Sequence, residues 1–430
     1  MPASISPDAI TWEGVECALD LMQRLFGRVV DCSALRWRTS TGQGCGKENR
    51  PAGIMECKTS QMMNTTYELE FYNFVDNVKN FKFMSGDKIV HRHHGSELTR
   101  DYFERTAFSS PVLVEQPEGL GLVVPPNITA SDIERCIGPT RELDVLDVAS
   151  QTEIRMTLME WTEYFQSQDR KRVLNALSLE YTGTELEKLI TAPTAVREMD
   201  WLRLYWPKDL PDDPCYQKPK FGKYCLMSTK GSFTDFHVDI AGTSVWHYVY
   251  SGEKFFYLIP PTSENINKLT SWLQSDDCFL SDLVPECYVV HLTAGNSLFM
   301  PTGWIHAVYT PQDSIIFQDN FLQRFSIGLQ IRLHVGKIND YRRCYYYPAE
   351  IVTWYAARGL LKEFTEHWSN STVPPKYLLE GVKEMIPYLK DWIATKEDLK
   401  VHLNLASASQ TPECVIDKFC EYLRQWISPV

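Results

Sequence analysis

From Ser244 to Phe317 short apolar runs alternate with turn residues at close, regular spacing. The runs are Ser244-Val-Trp-His-Tyr-Val-Tyr250, Phe255-Phe-Tyr-Leu-Ile259, Ser297-Leu-Phe-Met300, Trp304-Ile-His-Ala-Val-Tyr309 and Ser314-Ile-Ile-Phe317. Between them stand Ser251-Gly252, Pro260-Pro261, Ala294-Gly295-Asn296, Pro301-Thr302-Gly303 and Pro311-Gln312-Asp313, residues that end strands and make turns. Many short strands joined this way predict a sandwich or barrel of the jelly-roll kind.

Within this region Phe233-Thr-Asp-Phe-His237-Val-Asp239 sets His237 and Asp239 two residues apart. On an extended segment both side chains then project from one face, with Cα atoms roughly 6–7 Å apart. A later strand, after Pro301-Thr302-Gly303, carries His306. Two imidazoles and one carboxylate on one side of a metal leave the opposite positions open, as in non-haem Fe(II) oxygenases. A surface turn histidine and a core histidine bonded to backbone carbonyls would give the same letters; the surrounding strands favour the metal site. Lys254, in phase with Phe256 and Leu258, falls on a face expected to be buried. A buried lysine needs a partner, and the carboxylate of a bound acid is the obvious one.

Thr234, His237, Asp239, Lys254 and His306, with Gly-Thr-Ser-Val-Trp after the aspartate and Pro-Thr-Gly-Trp-Ile-His-Ala-Val around the second histidine, resemble the JmjC domain of histone lysine demethylases. The resemblance is closest to the subfamily whose members also carry F-box/CXXC or PHD modules. It extends upstream through Gly95–Phe103, Leu143–Val148, Asn175–Glu180 and Lys223–Met227, and downstream through Ile327–Gln330.

The resemblance implies an α+β fold: a double-stranded β-helix (cupin/jelly-roll) core with flanking helical N- and C-terminal regions. It divides the chain into an N-terminal helix and polar linker (1–65), a mixed helix and strand region packed on the core (66–220), the catalytic core (221–335) and a C-terminal helical region (336–430). It implies Fe(II) held by His237, Asp239 and His306, and O₂ and 2-oxoglutarate as co-substrates. Lys254 and Thr234 would meet the 2-oxoglutarate, and Tyr224, Asn175 and His247 are placed in the same pocket. On an unbroken strand Thr234 faces away from His237, so a bend or bulge is required. The implied reaction hydroxylates an N-methyl carbon of mono- or dimethyl-lysine in the histone H3 tail and releases formaldehyde. Met156–Trp161 and Ile259–Thr262 lean toward the branch acting at lysine-36, with the lysine-9/lysine-27 branch second. A catalytically weak chromatin scaffold and a protein side-chain hydroxylase are the alternatives.

Two departures bear on activity. The family usually shows Trp-Tyr-His where this chain has Trp246-His247-Tyr248. It reads Phe-Gly-Gly-Asn-Phe where this chain has Phe317-Gln318-Asp319-Asn320-Phe321. Beside the methyl-lysine pocket, Gln318 and Asp319 would narrow the space, or Asp319 would attract a methylammonium; Asn320 is retained.

Composition narrows the setting. No run of eighteen apolar residues and no charged-then-apolar N-terminus occurs in the 430 residues, so nothing points to a membrane or to secretion. Twelve cysteines without a Cys-x-x-Cys pair suit a reducing compartment and exclude an intact PHD or CXXC zinc reader. A net charge of −12 disfavours broad contact with DNA phosphates and suits a basic histone tail. A nuclear protein recruited to nucleosomes by a chromatin-targeting partner is expected.

Elsewhere the periodicity predicts an amphipathic helix over 9–28, a polar linker over 38–65, helices over 156–166 and 183–190, and a strand over 173–179. Thr99 is placed to cap a further helix. His91-Arg-His-His94 reads as a polar turn. Helices near 349–364, 376–395 and 412–427 are expected to cap the barrel.

Overall fold

The computed structural model describes residues 77–78, 81–210, 217–219, 222–274, 279–336, 349–395 and 411–426. The helix expected over 9–28 and the linker over 38–65 lie outside the described residues.

Two long strands organise the core. Ser244–Ile259 and Ile305–Phe321 pair antiparallel along their lengths, from Ile305 opposite Ile259 to Phe321 opposite Ser244. Their register shifts between Tyr309, Gln312 and Ile315, so both bend at one level. On one side of the bend Tyr288–Thr293 pairs with the second half of Ser244–Ile259, and Phe233–His237 with the first half of Ile305–Phe321. On the other side Ser297–Met300 and Lys223–Ser228 pair with the remaining halves. The outcome is two facing layers, a double-stranded β-helix. Phe256 and Leu258 of one layer share an apolar cluster with Val245, Val249, Leu298 and Ile316 of the other.

Ser251-Gly252 and Pro311-Gln312-Asp313, expected as turns, are instead bends inside these continuous strands. Gly252 takes φ +79°, a value glycine adopts without steric cost, and irregular pairing bends a strand without ending it.

Upstream strands extend the same sheet. Leu174–Glu180, Glu142–Asp147 and Thr152–Thr157 continue outward from Lys223–Ser228, and Val112–Val114 with His91–His93 continue from Ser297–Met300. Residues 84–180 thus share a hydrogen-bonded sheet with the 221–335 core. Thr99 accepts from the Tyr102 amide at 3.3 Å and starts the helix Arg100–Thr106. Thr157 and Glu160 form a capping box that opens Leu158–Gln166. That helix begins two residues later than expected, because Met156 and Thr157 end a strand.

The helices Ala349–Ser369, Lys376–Thr395 and Pro412–Trp426 bury Trp354, Phe364, Leu378, Val382, Val415 and Phe419 in one core. Trp201, Leu202, Ala241, Leu322 and Ile327 from the barrel side belong to that same core. The helical part is a cap packed on the barrel. No helix among the described residues is long and apolar enough to cross a membrane.

Candidate functional site

His237 and His306 are partners in register on adjacent antiparallel strands, with ring centroids 4.1 Å apart. Asp239 follows two residues later at the start of the short turn Ile240–Gly242, where its carboxylate makes no capping bond. One ligand atom from each of the three lies within 4.8 Å of the others. A histidine pair with one carboxylate at that separation is able to hold a metal ion.

Each imidazole is turned by its own strand. His237 Nδ1 meets the Asp235 carbonyl at 2.8 Å and His306 Nδ1 meets the Trp304 carbonyl at 3.1 Å. A carbonyl only accepts, so Nδ1 carries the proton and the lone pair is on Nε2, the tautomer a metal ligand needs. The Asp239 carboxylate accepts from Asn320 Nδ2 at 3.1 Å.

Thr234 reaches this face through a bulge. Between His237 opposite His306 and Thr234 opposite Val308, the Phe233–His237 strand spends three steps against two on its partner. The extra residue reverses the alternation, as strand parity requires.

Lys254 is buried at 2 % exposure, and its ammonium donates to Thr310 Oγ1 at 2.7 Å. Burial alone lowers its pKa to about 7. Near it the inner strand faces collect polar groups. Tyr224, Gln318 and His247 form a row across three neighbouring strands, and Asn175, Ser228 and Ser314 form a second. Asn175 Oδ1, both ring nitrogens of His247, and the hydroxyls of Ser228, Ser232 and Ser314 are buried without a hydrogen-bond partner. Buried polar atoms left unpaired are costly, and so many beside one buried lysine whose only bond is to a hydroxyl suit a polar, acidic guest. His247 is kept neutral: burial, then His306 and Lys254, lower its pKa to about 3, against a small opposing pull from Gln318.

Thr310, Ser228 and Ser314 were missed in the sequence. The available signal was phase: each is a small polar residue in step with inward-facing neighbours on its strand.

Of the three residues expected at the methyl-lysine pocket, two face inward. Asn320 Nδ2 bonds Asp239 and also Thr243 Oγ1 at 3.0 Å, and Gln318 Nε2 donates to Asn320 Oδ1 at 2.9 Å. Asp319 corrects the expectation. Strand alternation turns it to the other face with Phe317 and Phe321, which pack in outer clusters. There Asp319 is 4 % exposed and accepts from Arg203 Nη2 at 2.7 Å. It neither crowds the inner space nor offers a free charge to a methylammonium.

The motifs that suggested a lysine branch also build the local architecture. Thr157 and Glu160 cap a helix and Trp161 is fully buried; Thr262 accepts from the Asn265 amide and starts Ser263–Trp272. His91–His93 is a strand beside Val112–Val114. Among the described residues, only the His237, Asp239 and His306 group has the geometry of a metal site.

A two-layer β-helix with a His-Asp-His set able to hold a metal and a buried lysine between its layers defines a cupin-type protein. The cupin-like domain family matches residues 81–327 and the Jumonji helical domain matches 325–425. The chain belongs to the cupin-like domain family, with a Jumonji helical domain following the cupin-like part. It is 40 % identical over 328 residues to Lysine-specific demethylase 7B of Danio rerio, covering 74 % of this chain and 56 % of that protein. It is 40 % identical over 326 residues to Lysine-specific demethylase 7A of Mus musculus (74 % and 34 %) and 39 % over 335 residues to Histone lysine demethylase PHF8 of Danio rerio (76 % and 32 %). The matched region spans about a third to a half of these relatives' lengths.

Proposed function

We propose that this chain is a nuclear Fe(II)- and 2-oxoglutarate-dependent demethylase acting on mono- or dimethyl-lysine of the histone H3 tail. The observation that carries the proposal is the convergence of His237, Asp239 and His306 beside the buried Lys254. The names of the relatives support the substrate class, and the net charge of −12 suits a basic tail.

His237 Nε2, His306 Nε2 and the Asp239 carboxylate would hold the iron. Lys254, steadied by Thr310, would pair with the distal carboxylate of 2-oxoglutarate; Thr234, Asn175, Tyr224 and neutral His247 would share its remaining oxygens. When bound, iron with 2-oxoglutarate and O₂ supplies the oxidation that places a hydroxyl on the substrate's N-methyl carbon, with succinate and CO₂ as co-products. The resulting hydroxymethylamine breaks its C–N bond, releasing formaldehyde and a lysine with one methyl group fewer. Asn320 holds Asp239 in position, and the two layers keep bulk water from the pocket. Lysine-36 is the first choice of target and lysine-9 or lysine-27 the second. A partner that reads chromatin would bring the enzyme to its nucleosome.

A second reading, a JmjC module with little catalytic power, is favoured by Gln318, whose side chain occupies inner space where the family has glycine. Purified protein with Fe(II), ascorbate and 2-oxoglutarate, incubated with H3 peptides dimethylated at lysine-36, lysine-9 or lysine-27, decides between them by mass spectrometry. A loss of about 14 mass units per methyl group, absent in His237→Ala, is the expected result. A gain of about 16 would mark a hydroxylase, and no succinate with any peptide would leave the non-catalytic module.

A further inference from the structure

We propose that Gln318 is a positioning residue that orients the Asp239 carboxylate through Asn320. This rests on the reading of His237, Asp239 and His306 as metal ligands, and adds a residue that no family motif supplies.

The argument is one of hydrogen-bond polarity. An ionised carboxylate has no proton to give, so the group 3.1 Å from Asp239 Oδ1 must be the NH₂ of Asn320. A second partner says the same. The Thr243 hydroxyl gives its only proton to the Ile240 carbonyl at 2.9 Å, so toward Asn320 it can only accept. With its NH₂ committed to Asp239 and Thr243, Asn320 turns its oxygen the other way. There the Gln318 amide donates at 2.9 Å. Gln318, Asn320 and Thr243 are 8 %, 5 % and 1 % exposed, so water cannot easily stand in for a lost partner. The i, i+2 spacing on one strand face is what lets the two amides meet.

Asp239 sits just past a strand end, on a turn with no capping bond of its own. Asn320 is a side-chain partner that helps set the direction of the Asp239 carboxylate. Partners behind a ligand fix its geometry and tune the metal. Glycine at this position would leave the Asn320 oxygen unpaired; glutamine supplies the missing donor. The bulk at residue 318 thus serves the metal ligand.

The test is Mn(II) titration of the purified chain by calorimetry, with the visible spectrum of the Co(II)-loaded protein as a geometric readout and thermal melts as a control. Gln318→Met keeps the length and removes the amide; Gln318→Gly removes both. If the amide positions Asp239, both variants bind Mn(II) several-fold to about tenfold more weakly, Asn320→Ala about 10–100-fold, and all three alter the Co(II) spectrum while melting within a few degrees of wild type. Unchanged Mn(II) affinity and Co(II) spectrum in Gln318→Met would overturn the positioning role while leaving the metal site standing. If the wild type and His237→Ala bind Mn(II) equally, the metal reading and the positioning role fall together.

Discussion

Gly252 lies against the backbone of Ser314, so close that a Cβ on the glycine would stand 2.8 Å from Ser314 Cα. The two residues sit where the long strands bend together, and their contact sets the angle between the layers that carry the site. Asp313 fixes the same corner from outside, accepting from Arg170 Nη1 at 2.8 Å and from the Lys230 amide at 2.7 Å.

Gly252→Ala therefore tests the bend. A left-handed backbone without glycine costs about 1–3 kcal/mol, and the collision with Asp313 and Ser314 adds to it. Denaturant melts are expected to show at least that loss, and 2-oxoglutarate affinity to fall because Lys254 and His247 lie on opposite sides of the bend. Wild-type stability in the variant would show that the corner is soft.

This corner also marks what the sequence conceals. Gly252 and Pro311–Asp313 look like ordinary hairpin turns, since local letters report a change of direction and not whether pairing survives it. His237, Asp239, His306 and Lys254 were legible because spacing and phase express them within single strands. The bulge at Thr234 was legible as a contradiction in parity. Arg203 as the partner of Asp319 was not, because the pair joins residues 116 positions apart and depends on helix placement. The cap was readable from apolar stripes, but its sharing of Ala241 and Ile327 with the barrel came only from packing.

Arg203 stands between two buried carboxylates, Asp200 at 3.2 Å and Asp319 at 2.7 Å. Burial first, and then the charge of Asp319, raises Asp200 to about 7; burial raises Asp319 as well. Carboxyl groups with raised pKa values favour the native state most below the ordinary range near 4, and that contribution is lost as pH rises through about 7. Removing the shared cation in Arg203→Met leaves two buried charges uncompensated, a loss of about 3–5 kcal/mol. Melts at pH 5 and pH 8 should show the larger deficit at pH 8, above the raised pKa of Asp200. An equal deficit at both would mean that Arg203 acts by packing alone.

Gly381 in Lys376–Thr395 faces Ile327, and a Cβ there would stand 2.8 Å from Ile327 Cβ. Alanine ordinarily gains about 1 kcal/mol over glycine within a helix. Overpacking costs about 1–3 kcal/mol, so the expected sign of Gly381→Ala is destabilising. The helix Ile327–Val335 also carries Gln330, which packs on Gly242 three residues after Asp239. A displaced helix should weaken Mn(II) binding in proportion to the loss in melting temperature. A more stable Gly381→Ala with wild-type Mn(II) affinity would show that the cap yields without disturbing the turn.

Lys254 gives the site its own pH dependence. Its pKa is lowered from 10.5 to about 7 by burial, so without a guest the folded chain prefers the neutral amine. The sign follows: stability is highest above pH 10.5, declines as pH falls through that window, and levels off below about 7. A bound dicarboxylate supplies the missing counter-charge and favours the ammonium, so binding above neutral pH takes up a proton. Between pH 7 and 9 the affinity for 2-oxoglutarate should fall, by at most about tenfold per unit, while ordinary histidines are already neutral. Calorimetry of the Mn(II)-loaded protein in buffers of different ionisation enthalpy measures both the affinity and the proton uptake. Lys254→Met should lose the pH dependence and most of the affinity together, and melt higher than wild type in the absence of 2-oxoglutarate. A slope that survives in Lys254→Met would assign the proton to another group and remove Lys254 from the carboxylate site.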